Sequence, residues 1–372
     1  DRGHYIASEV SLKTNLLSVH VTLRLASPTD KVWLNIPAGL FAEVQIAKVT
    51  AGNAKVEMQN DNLAMYLSSA EAMDVVELEY QIELKSAGTI LSYHDDVVLL
   101  TEFLITPAPI VGDRPVLSEN IAFGDAFVYP LLDYSVFLTV DSAYQAFAPG
   151  EVYETVGDTK NSYRFKASSI RDFPIYLANN PVIAKEKIRD IDVTYIGMPD
   201  VHAEVEKAFH YIESKTCDYP YQELFVIGAP IDLNGMEFSQ MIMISDRVIR
   251  GNQATIDNLI CHEIFHQWFY GIVATDQINE PFMDEGMVNY LVRDLVGERS
   301  DTRYDSHIFR MGLSDYPSKA AYYSDAYHSG ASYFGYLHEQ YGDEFYEKLR
   351  SIFRKYYGKI LTYQDFKNEF GE

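Results

Sequence analysis

The sequence predicts an α+β protein of more than one domain, an antiparallel β domain followed by a mostly helical one. Three observations carry this reading: strict apolar–polar alternation in the first half, a change of pattern near residues 186–192, and helical spacing beyond it. A chain of 372 residues is also long for one core. The break divides it into an expected β domain at 1–188 and a second domain at 189–372, whose C-terminal end reads as short.

In the first half, Leu17, Val19, Val21, Leu23 and Leu25 alternate with Ser18, His20, Thr22 and Arg24. Val76, Leu78, Tyr80, Ile82 and Leu84 repeat the pattern around Glu77, Glu79, Gln81 and Glu83. Successive strand side chains point to opposite faces, so each run reads as a strand with one buried face. Val136–Val140 and Tyr163–Lys166 extend the set, Ala148-Pro149-Gly150 reads as a turn, and no useful helical period precedes about residue 200. Past the break, short strands near 193–196, 224–227 and 241–244 mix with helical stretches. One helix is expected from about Asp200 to Thr216, and another carries Ile256, Leu259, Ile260, Ile264 and Trp268 at three-and-four spacing. Beyond Pro281 the pattern is helical almost throughout.

Composition narrows the function. A net charge of −24 argues against nucleic acid or an anionic membrane as a partner, since both demand a basic face. It suits a cationic ligand, or simply a well-solvated acidic surface. Cys217 and Cys261 are too few for a multi-cysteine zinc site or a disulfide framework, and Cys261 reads as a small buried side chain. The most apolar run, Val97 to Val111, is broken by Glu102 and two prolines, so no membrane span is expected. The chain reads as soluble, but its start at Asp1 leaves room for a removed signal or anchor and the compartment stays open.

The chemistry is carried by His262-Glu263-Ile264-Phe265-His266. Residues four apart share a helix face, about 6 Å apart along the axis, so both imidazoles can converge on one zinc at about 2.0–2.1 Å. Glu263 between them is placed to act as general base on the attacking water. A catalytic zinc takes three protein ligands and keeps one position open. Glu285 follows His266 by 19 positions, just after Pro281, which suits a first helical turn. It is therefore expected on a second helix packed against the first. One Zn2+ per chain, held by His262, His266 and Glu285, and peptide hydrolysis follow as expectations.

The run from His262 to Phe269, followed by Asp284-Glu285-Gly286, resembles the gluzincin metallo-aminopeptidases, the family of aminopeptidase N and leukotriene hydrolase. Asn234-Gly235-Met236-Glu237-Phe238 is similar to that family's Gly-x-Met-Glu-Asn motif, and Ala326-Tyr327-His328-Ser329-Gly330 to its Tyr-x-Lys-Gly segment. The resemblance implies a β N-terminal domain and a thermolysin-like catalytic domain. It implies that Glu237, with Gly235 and Met236, binds the free α-ammonium of a peptide, and that Tyr327 donates to the developing oxyanion. The implied partners are thus peptides with a free N-terminus, and the implied activity is that of a zinc aminopeptidase. Neighbouring Tyr322, Tyr323, Tyr333 and Tyr336 read as packing residues.

The chain departs from the family pattern at Asn234, Phe238 and Ser329, where altered tuning rather than lost chemistry is expected. It also ends at Glu372, where relatives continue into a helical domain that roofs the site, so either the sequence is cut short there or the cleft is unusually open. Asp276 and Asp284 are candidates to orient the imidazoles. Two alternatives stay open: a thermolysin-like zinc endopeptidase, and a non-catalytic scaffold that keeps the fold.

Overall fold

A computed structural model describes residues 4–121, 123–298 and 301–371. The first half folds as two β-sheets over one core. The larger sheet runs, in spatial order, through Glu151–Thr155, Lys160–Ile170, Leu132–Asp141, His4–Lys13, Leu16–Asn35, Ala64–Glu83 and Val44–Thr50. Its ladders are antiparallel except that between His4–Lys13 and Leu132–Asp141, which is parallel. Leu17, Val19, Val21 and Leu23 point inward, as do Val76, Leu78, Tyr80 and Ile82. A smaller antiparallel sheet (Tyr144–Phe147, Ile175–Asn179, Val97–Leu100 and Leu91–Tyr93) sends Val98, Leu100, Ile175 and Leu177 into the same core.

A further, mixed sheet begins with the hairpin Ile183–Ile188/Ile191–Ile196 and continues through Glu223–Ala229 and Met241–Ser245 to an edge strand, Gly235–Phe238. Both of its faces are covered, which explains the unbroken apolar runs in the strand Met241–Ser245 and its neighbour. Val193, Leu224, Val226, Ile242 and Ile244 meet the helices. Phe225, Ile227, Met241 and Met243 instead meet Leu99, Tyr129 and Tyr176 of the first half. The sheet is thus held between the helices and the smaller β-sheet.

Helix α1 (His202–Lys215) buries Val205, Ala208, Phe209 and Ile212. Helix α2 (Gln253–Phe265) starts where the Asn252 side chain accepts the Thr255 N–H at 2.9 Å. Helix α3 (Pro281–Leu295) starts with Pro281 in its first turn, and α4 (Gly330–Tyr341) packs across it. The crossing is close: a Cβ on Gly286 would stand 2.8 Å from the Gly330 Cα. Among the described residues no helix is long and apolar enough to cross a membrane.

Candidate active site

The site is assembled from the C-terminal turns of α2, the first turns of α3 and the edge strand. His262 Nε2 and His266 Nε2 lie 3.1 Å apart. Glu285 Oε2, from α3, is 3.2 Å from the first and 3.5 Å from the second. His266 Nδ1 is 3.1 Å from Asp284 Oδ1 and 3.2 Å from the Phe269 carbonyl, so the proton on Nδ1 is fixed and Nε2 is turned to the centre. Asp284 therefore orients an imidazole as anticipated, whereas Asp276 holds Asn279 instead, accepting its backbone N–H at 3.1 Å.

These residues fit a zinc ion. The Glu285 Oε2 atom is buried with no hydrogen-bond donor, and two imidazole nitrogens with converging lone pairs face it. All three ligand atoms lie within 4.8 Å of one another. Tetrahedral ligation at about 2.0–2.1 Å separates ligand atoms by about 3.3 Å, close to the spacing present. Two nitrogens and one carboxylate oxygen are also a set that zinc accepts. Burial opposes charge on His266, but Glu237, Asp284 and Glu285 outweigh it and hold the imidazole well above its usual range. Burial pushes His262 down. Burial would also raise Glu285, yet the charge of His266 and the contact with His262 keep it well below the carboxylate range.

Glu263, also buried, is pushed well above the carboxylate range by burial and then by Glu237. Burial raises Glu237 as well. Both carboxylates thus hold a proton more tightly than an exposed carboxylate does, as a group that accepts and returns one must. Gly235 belongs to this geometry, because a Cβ there would stand 2.3 Å from Glu263 Oε1. Met236 and Glu237 follow it along the wall of the cleft.

Glu237 precedes the expected strand Met241–Ser245 and itself lies in a further strand that the sequence pattern did not mark. Gly235–Phe238 pairs antiparallel with Met241–Ser245 as the edge of the sheet. The tight turn has Gln240 at φ 59 and is clamped from α2's end. Gln267 Oε1 accepts the Gln240 N–H at 2.9 Å, and Gln267 Nε2 donates to the Phe238 carbonyl at 2.9 Å. A four-residue strand at an edge carries too little alternation to be read from sequence. The role of Gln267 was missed for a similar reason, since only tertiary pairing reveals it.

Tyr327 sits in a π-helical segment, Tyr323–Ser329, whose end places the Gly330 N–H on the Asp325 carbonyl. Its ring lies parallel to that of His262, with centroids 5.9 Å apart. Burial and Glu285 keep the phenol protonated. Tyr333 is buried in the helical core, while Tyr322 and Tyr323 also line the cleft. Asp125, from the first half, faces the same space; burial and then Glu285 raise it well above the carboxylate range. It lies in an irregular stretch after Gly124 (φ 80), with no periodicity or motif to mark it. The cleft between the halves has a volume of about 890 Å³.

Residues 202–312 match the peptidase family M1 domain, the family that the motifs resemble. The chain is 26% identical to putative aminopeptidase-2 of Caenorhabditis elegans over 169 residues, 37% of this chain and 9% of the relative. It is 27% identical to leukotriene A-4 hydrolase of Xenopus laevis over 162 residues, 41% of this chain and 26% of that one. The matches thus span about a quarter or less of these curated relatives. The whole fold resembles that of an M1 zinc metallopeptidase from Deinococcus radiodurans, with TM-score 0.68 and 14% identity, covering 100% of this chain and 91% of that one. A mutant of that enzyme bound to the substrate Tyr-Ser-Ala gives TM-score 0.70 at 15% identity, covering 100% and 92%.

Proposed function

We propose that this chain is a zinc-dependent aminopeptidase that hydrolyses the N-terminal peptide bond of peptides, with one Zn2+ held by His262, His266 and Glu285. The observation that carries the proposal is the buried convergence of those three ligand atoms beside two further carboxylates, Glu263 and Glu237. When bound there, zinc supplies Lewis acidity towards water and the scissile carbonyl. Glu263 takes the proton of the attacking water and returns it to the leaving amine, a task that suits its raised proton affinity. Tyr327 donates its phenolic hydrogen to the oxygen that becomes negative. Glu237 and Asp125 bind the substrate's α-ammonium, and the outer edge of Gly235–Phe238 pairs with the peptide backbone. An internal peptide segment brings no cation to those carboxylates, which disfavours endopeptidase action.

The test uses aminoacyl chromogenic substrates and peptides, with and without a chelator. Glu263→Gln is expected to keep zinc and lose at least about 1,000-fold in kcat. N-acetylated peptides are expected to resist cleavage. Cleavage of blocked and free peptides at equal rates would point to an endopeptidase, and zinc binding without turnover on any peptide to a scaffold.

A further inference from the structure

Two helix faces extend the cleft beyond the metal ligands. On α2, Thr255, Asn258, Leu259 and His262 recur at helical spacing, and all line the cleft. On α3, Glu285, Asn289, Val292 and Arg293 do the same. Glu237 stands at the other end, where its carboxylate, His266 and Asp284 lie within 4.8 Å of one another. Along both helices the order is therefore Glu237, then His262 and Glu285, then Arg293. A peptide with its N-terminus at Glu237 runs its C-terminal side towards Arg293.

Arg293 is a cation in a strongly acidic chain, yet among the described residues it makes no ion pair. Its polar side-chain contact is with His328 Nδ1, at 2.8 Å from Nη2. Glu298, which also lines the cleft, makes no ion pair with it. The cleft's other basic side chain of this kind, Lys319, lies over the ring of Tyr323 at 5.6 Å. Arg293 is half-buried, and its planar fork suits a carboxylate.

We propose that Arg293 binds the free C-terminal carboxylate of short peptides, so that the substrates are peptides held at both ends. This rests on the aminopeptidase reading, which fixes the N-terminus at Glu237. Arg293 follows Glu285 by eight positions (293 − 285), about 12 Å along the helix axis. Allowing for the length of the arginine side chain, the carboxylate then falls about two or three extended residues beyond the scissile bond at about 3.4 Å each. Tri- and tetrapeptides fit this span, and longer peptides place their carboxylate past it.

The experiment compares kcat/KM for a tripeptide acid with that for its C-terminal amide, using the zinc-loaded chain. The free acid is expected to be favoured about tenfold or more, and Arg293→Leu to bring the ratio towards one. Arg293→Lys, which keeps charge but not the fork, is expected to restore part of it. Equal rates for acid and amide in the wild type, or a ratio that Arg293→Leu leaves unchanged, overturn the proposal. Equal cleavage of N-acetylated and free peptides instead overturns the underlying reading. If turnover is too slow to measure, calorimetric binding of the same two peptides to zinc-loaded Glu263→Gln yields the ratio, with the same two outcomes.

Discussion

Single side chains couple the two halves as strongly as they build the site. Glu223, on the mixed sheet, accepts the backbone N–H of Gly150 in the first half. Burial pushes its carboxyl up to about 7 from an ordinary 4.5, with the Gly150 N–H partly opposing. Between those values the folded chain holds a proton that the unfolded chain releases. Stability therefore falls as pH rises through that window. Glu223→Gln keeps an acceptor for Gly150 and never ionises. It is expected to melt near the wild type at about pH 5 and to be more stable by ~1–2 kcal/mol at about pH 8, as read from Tm across the range.

At the scale of elements, the site depends on one hairpin being docked against one helix end. Gln267 supplies both hydrogen bonds of that docking, to Gln240 and Phe238. Gln267→Leu is expected to cost ~1–3 kcal/mol and to let the Glu237 strand shift. The check is discrimination between free and N-acetylated peptides, which should shrink even where zinc content stays intact. Much of this level was legible in the sequence. The α2 stripe, Pro281 at the start of α3 and the His262–His266 spacing are local patterns with a fixed geometric meaning. What escaped was non-local: the four-residue edge strand, the clamp by Gln267, and Asp125 arriving from a segment without period. A carboxylate's function there depends on which other carboxylates surround it, and sequence spacing across 112 positions from Asp125 to Glu237 carries no such information.

At the scale of the molecule, the halves share a buried polar joint. The fully buried Arg171 donates to the carbonyls of Tyr129, Tyr270, Gly271, Ile272 and Lys359 at 2.9–3.2 Å. Next to it, Asp172 Oδ1 accepts the Ser239 N–H at 3.0 Å and hydrogen bonds from the Ser239 hydroxyl at 2.7 Å and the Tyr270 hydroxyl at 2.6 Å. Ser239 is in the turn of the Glu237 hairpin, so the first half sets the position of the cleft wall. Tyr270 has φ 102, a conformation that costs a non-glycine residue about 1–3 kcal/mol and that this joint holds in place. Arg171→Met leaves those carbonyls without their donor and is expected to cost ~3–5 kcal/mol, measured by urea unfolding at saturating zinc. The two-part architecture could be read from a change of periodicity, but the joint could not. Arg171 and Asp172 sit at the end of an ordinary alternating strand, and nothing local distinguishes them from a solvated pair.

The π-helical turn that bears Tyr327 has a consequence for how this chain can vary. Such a turn holds one residue more than the hydrogen-bond ladder of an α-helix accommodates. Removing Ser324, an exposed residue within it, would let the segment close into regular α-helix. The variant is expected to unfold no more readily than the parent, yet to lose about 100-fold or more in kcat as the phenol swings away from His262. Here a shorter chain would make a sounder helix and a poorer catalyst, so length in this segment is under a constraint that composition does not express.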